Sequence, residues 1–138
     1  MTTEALQTAL EAEHAAVWLY ALLGARVSAS TEAELHTALT SAYVAHRARR
    51  DTLSALVLDD GAEPVAAAAS YVAPTPLTTS DEVRAAAATA EGDAAATYGF
   101  LVASTSGERR RTAVAALRDA AVRGLGFGGV AEDLPGRD

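Results

Sequence analysis

Two stretches of this chain, Glu13-His14-Ala15-Ala16-Val17-Trp18-Leu19-Tyr20 and Glu91-Gly92-Asp93-Ala94-Ala95-Ala96-Thr97-Tyr98, share the pattern Glu-x-x-Ala-x-x-x-Tyr. Spacings of three, four and seven return to the same side of an α-helix, so each copy sets a carboxylate, a small residue and a phenol on one stripe. Each also falls in the first helix of a candidate helix pair. The chain therefore reads as two related pairs, an internal repeat of about 78 residues, joined in the middle.

Working outward from the first copy, Leu6, Leu10, Glu13, Val17, Tyr20 and Gly24 recur at helical spacing, which predicts a helix over about 3–27. Ser30 or Thr31 is placed to cap a second helix over about 32–60, with Leu35, Leu39, Ala42, Tyr43, His46, Arg50, Leu53 and Val57 inward and Gly61 ending it. Residues 61–80 hold Pro64, Pro74 and Pro76 and no sustained period, then the helix-start cluster Thr78-Thr79-Ser80-Asp81. So long an irregular segment fits a small fold only as a crossover from one end of a bundle to the other. Around the second copy a helix is predicted over about 81–104. After a Ser-Thr-Ser-Gly turn a fourth follows over about 108–125, and the Gly-rich tail 126–138 is expected to be flexible.

At 138 residues, with half of them apolar and about a quarter alanine, the chain suits one all-α domain, residues 1–138, packed from close helices. It has no cysteine, so neither disulfides nor thiolate metal sites can form. With no basic-then-apolar leader at its start, a cytoplasmic protein is expected. No stretch is long enough to span a bilayer, and a net charge of −7 without a single lysine argues against nucleic acid as a partner. Trp18 and Leu22 project away from the Glu13 stripe, and this outer apolar face predicts a homodimer through helix one. No other partner is legible.

These helices resemble the ferritin-like superfamily, rubrerythrin-type helices in particular, and an uncharacterised bacterial ferritin-like family, over nearly the whole chain. The stretch Ala45-His46-Arg47-Ala48-Arg49-Arg50-Asp51-Thr52-Leu53 sits where those proteins carry the histidine of a Glu-x-x-His ligand motif. The resemblance implies a ferritin-like four-helix bundle, two antiparallel helix hairpins joined by a long crossover, and metal chemistry in its best-known members. If helices one and two turn around Ala29 and Ser30, Glu13 and His46 lie equally far from the turn and face each other, and Glu91 completes the layer.

A di-iron carboxylate centre needs two carboxylates and two Glu-x-x-His pairs. Here Tyr43 stands three residues before His46, and helix four has alanines at the corresponding level and no histidine. Glu13, His46 and Glu91 are left as candidate ligands for one iron, manganese or zinc ion, with Tyr20 and Tyr98 behind them. The competing expectation is a metal-free buried polar cluster of Glu13, His46, Arg50, Glu91, Tyr20, Tyr43 and Tyr98, in which Arg50 points inward and bonds the acids. Three functions follow: a non-catalytic interaction or structural domain with no cofactor and no catalytic residue, a mononuclear metal oxidoreductase or metal-handling protein, and a small-molecule binder in the bundle core.

Overall fold

A computed structural model describes residues 2–137. It has four α-helices, α1 (Thr2–Ala25), α2 (Ala33–Asp59), α3 (Ser80–Ser104) and α4 (Gly107–Gly126), and no strand among the described residues. No helix of these residues is long and apolar enough to cross a membrane.

The helices pack in a bundle-like body through the stripes that their periodicity marks. At one end Leu6 and Leu10 of α1 meet Leu53 and Val57 of α2, Tyr98 and Leu101 of α3, and Ala113 and Ala116 of α4. At the other, Tyr20 and Leu23 meet Leu35, Leu39 and Ala42, Val83 and Ala87, and Phe127. Between the two apolar clusters Glu13, His46 and Glu91 are buried, each at most 2% exposed. Alanine at Ala42, Ala87, Ala113 and Ala120 lets the backbones come close; all four are fully buried.

Helix ends follow local chemistry. Thr79 caps α3 by accepting from the Glu82 amide while the Glu82 carboxylate accepts from the Thr79 amide, a reciprocal capping box. Gly61, at φ 76°, takes the left-handed conformation beyond α2 that costs glycine least. The cap expected from Ser30 or Thr31 is not made: the N-cap of α2 is Glu32, and its carboxylate accepts instead from the Ser80 hydroxyl at the start of α3. Ser28 and Ser30 bond each other within the turn.

Residues 61–79 follow the outside of α1. The Gln7 side chain donates to the Glu63 carbonyl and accepts from the Val65 amide, His14 Nε2 lies 3.0 Å from the Val65 carbonyl, and the Tyr71 ring packs 5.5 Å from that of Trp18. Trp18 is thus half-buried beside Tyr71, and Leu22 is half-buried against the apolar cluster around Tyr20 and Leu23. The bare apolar face that motivated a dimer through them is partly covered.

The first residues of the tail pack against the core. Helix α4 continues through Gly126, and Phe127 is 4% exposed with its ring 6.2 Å from that of Tyr20, because an apolar ring at the open end of the core gains more from burial than from solvent. Further on, the tail lies so close to α3 that a Cβ on Gly99 would collide with the Gly136 carbonyl.

Candidate functional site

The two copies of the repeat bond to each other. Tyr20 of the first donates to Glu91 Oε1 of the second at 2.7 Å, and Tyr98 of the second donates to Glu13 Oε1 of the first at 2.5 Å. His46 of α2 lies between the acids, with Nδ1 2.6 Å from Glu13 Oε2 and Nε2 2.9 Å from Glu91 Oε1. Its ring also stacks on Tyr20 at 5.2 Å between centroids and an interplanar angle of 15°. The layer thus holds α1 to α3 by two reciprocal phenol–carboxylate bonds and ties α2 to both through one imidazole.

Burial alone would pull the His46 imidazole down. The hydrogen bonds to Glu13 and Glu91 and the charges of those carboxylates outweigh it and push it up to about 9. At neutral pH His46 is therefore an imidazolium that donates from both nitrogens. Burial, followed by the adjacent carboxylate, pushes both phenols up: Glu91 acts on Tyr20 and Glu13 on Tyr98, so each stays protonated and remains a donor.

Two of the expected members lie elsewhere. Arg50 does not point into the layer; its guanidinium bonds the neighbouring Asp51 at 3.0 and 2.8 Å. Tyr43 is half-buried beside the apolar cluster with the Arg47 guanidinium 5.7 Å from its ring centre, and makes no bond to Glu13, His46 or Glu91. The cations that do flank the layer are Arg49 and Arg123. Arg49 sits 5.7 Å over the Tyr98 ring and bonds Asp119, while Arg123 bonds Asp119 at 3.2 Å and brings Nε to 3.7 Å from Glu91 Oε1. Burial raises the Asp119 carboxyl, but Arg49 and Arg123 outweigh that and leave it lowered.

The reason is angular. Successive helical residues point about 100° apart, so Arg49 and Arg50 flank the His46 direction on opposite sides, and only the Arg49 flank meets α4. The sequence signal for the missed residues was the Asp119–Arg123 spacing of four, which allows an ion pair on one helix face. With His46 charged, three carboxylates (Glu13, Glu91 and Asp119) face three cations (His46, Arg49 and Arg123), and the network is neutral.

A cleft of about 810 Å³ adjoins this layer. Its walls are α1 from Ala12 to Leu19, α3 from Ala85 to Thr97 and residues 71–76 of the connection, and Glu13, His46 and Tyr98 stand along it.

A family model described as a domain of unknown function, DUF4439, matches residues 5–138. The chain belongs to the DUF4439 family. No curated protein matches it. Among solved structures, this DUF4439 chain is similar to the crystal structure of a conserved hypothetical protein, rv2844, from Mycobacterium tuberculosis. The two are 25% identical with a TM-score of 0.84, over 92% of this chain and 94% of that one.

A metal ion does not fit the donor set of this DUF4439 chain. A histidine ligand needs a ring nitrogen lone pair, and both His46 nitrogens face carboxylates as N–H donors. Both Glu13 oxygens and Glu91 Oε1 accept hydrogen bonds and Arg123 stands beside Glu91, so Glu91 Oε2, buried without a partner, is the one acid oxygen of the layer left free, too few donors for an ion. Among the described residues no three His, Asp or Glu side chains are arranged to hold an ion. In place of a cation bound by two acids and a histidine, the histidine is itself the cation.

Proposed function

We propose that this chain is a single ferritin-like domain: a four-helix bundle of two antiparallel hairpins joined by a crossover through residues 61–79. In it a neutral ion network stands at the level where metal-binding proteins of that type hold their metals. The domain works in the cytoplasm as a non-catalytic interaction or structural unit. The observation that carries the reading is the position of His46, donating from both ring nitrogens to two buried carboxylates. Proton and metal compete for the same imidazole lone pair, so an imidazolium held by two acids is a poor metal ligand.

Protein purified without chelator from cells supplied with iron, manganese and zinc is expected to carry substoichiometric metal by elemental analysis and to melt at the same temperature with and without EDTA. One tightly held equivalent, lost together with thermal stability in Glu13→Gln or His46→Ala, would overturn the reading in favour of a mononuclear metal protein.

A second reading, small-molecule binding, is supported by the cleft. Its volume of about 810 Å³ lies in the range of cavities that enclose drug-sized ligands, roughly 300–1,000 Å³. The network then serves as a rigid wall of the binding site.

A further inference from the structure

The cleft between α1 and α3 has a definite chemistry. Ala12, Ala15 and Ala16 face Ala86, Ala90 and Ala94, and side chains this small leave room that leucines would fill. The helices do not close on that room, because the reciprocal Tyr20–Glu91 and Tyr98–Glu13 bonds link them through long side chains. At the connection side Trp18 and Tyr71 form an aromatic corner, their rings tilted by 38°.

The charges along the cleft are one-sided. Glu13, Glu82 and Asp93 line it, and none of the chain's eleven arginines does. The one cation there, His46, is held between Glu13 and Glu91. Glu13 is saturated by His46 and Tyr98, and Glu82 is committed through Oε2 to the cap of α3. Asp93 is different: it is exposed, and its carboxylate makes no hydrogen bond or ion pair among the described residues. Apolar alanine walls, an aromatic corner and an uncommitted carboxylate together complement an apolar body that carries a positive head group. An anionic ligand meets net negative charge with no arginine to receive it.

We propose that the cleft binds an apolar small molecule bearing an ammonium group, with the alanine walls and the Trp18–Tyr71 corner taking the body and Asp93 drawing the charge. This rests on the small-molecule reading above and adds the class of ligand. Trp18 is the chain's single tryptophan and lines the cleft, so its emission reports occupancy. The probes are 4-phenylbutylamine, 4-phenylbutanol and 4-phenylbutyrate, nearly equal in shape and different in charge at pH 7.

The amine is expected to give a saturable change in Trp18 emission and to bind about tenfold tighter than the carboxylate, the alcohol falling between; tenfold corresponds to one modest ion pair. Asp93→Asn, an exposed change, is expected to weaken the amine and leave the alcohol unchanged. Ala90→Leu, checked for native helicity by circular dichroism, is expected to weaken all three by filling the cleft. Should that variant not fold, Thr89→Leu on the exposed edge of the same wall replaces it. Equal affinities for the three probes, or amine binding indifferent to Asp93→Asn, overturn the ligand class and leave the small-molecule reading standing. No saturable change with any probe overturns both.

Discussion

His46 is the residue on which the interior depends. Its imidazole is pushed up to about 9 in the folded chain from an ordinary 6.5, so the ring holds its proton more tightly folded than unfolded. The stability it contributes is fully present below about pH 6.5 and is lost as pH rises through about 9; a shift of that size corresponds to about 3 kcal/mol. Urea unfolding at pH 6, 7.5 and 9.5 is expected to show this loss, and His46→Gln to abolish most of the slope. A wild-type profile flat across that range would refute the charged imidazole. His46→Ala at pH 7 leaves two buried carboxylates without their shared donor and is expected to cost about 3–5 kcal/mol by the same measurement. Arg50→Ala, on a side chain paired only with Asp51, should change stability far less, since exposed ion pairs contribute about 0–1 kcal/mol.

At the scale of elements, the chain spends its local signals on helix α3, which carries one half of the repeat and one wall of the cleft. Thr79 and Glu82 close a capping box, and Thr78 adds both its amide and its hydroxyl to the Glu82 carboxylate, which is held below the usual carboxylate range by these bonds. The start of α2 has no such side-chain cap, and Glu32 there is tied to Ser80. The α3 cap therefore also anchors the end of the connection. Thr79→Ala is expected to cost about 1 kcal/mol, a fall in melting temperature of roughly 4 °C, and to raise proteolytic cleavage near residues 72–79. An unchanged melting temperature and digestion pattern would show that the connection holds without the cap.

For the whole molecule, the arrangement is two apolar clusters separated by a layer of charge, in which each charge depends on the others. Such a layer behaves as a unit: removing one partner is costly, while replacing all of them with apolar groups of similar volume is close to neutral or stabilising. The combined variant Glu13→Leu, His46→Leu, Glu91→Leu, Tyr20→Phe and Tyr98→Phe removes two of the three acids and one of the three cations, and leaves Arg49 and Arg123 sharing Asp119 at the partly exposed flank with one net positive charge. It is expected to unfold at higher denaturant than His46→Ala alone, and its pH dependence above pH 6.5 should be largely gone. Stability losses that simply add across the single variants would show that the layer is a set of independent contacts.

The four helices were legible because helix formation depends on short-range periodicity, caps and breakers. The stripe through Leu6, Leu10, Glu13 and Tyr20, the Thr79 cap and the Gly61 stop are all local facts. The repeated Glu-x-x-Ala-x-x-x-Tyr likewise pointed to Glu13, Glu91, Tyr20 and Tyr98, and helix register placed His46 opposite Glu13. What tertiary structure alone decided was which flank of each helix meets a neighbour. Periodicity cannot separate Arg49 from Arg50, since both border the inward stripe; the position of α4 selects Arg49 and leaves Arg50 with Asp51. The covering of Trp18 by Tyr71, the burial of Phe127 and the opening of the cleft along the alanines of α1 and α3 are likewise contacts between residues far apart in the chain. Local rules set which way a side chain leaves its helix; only the packed neighbours set what it meets there.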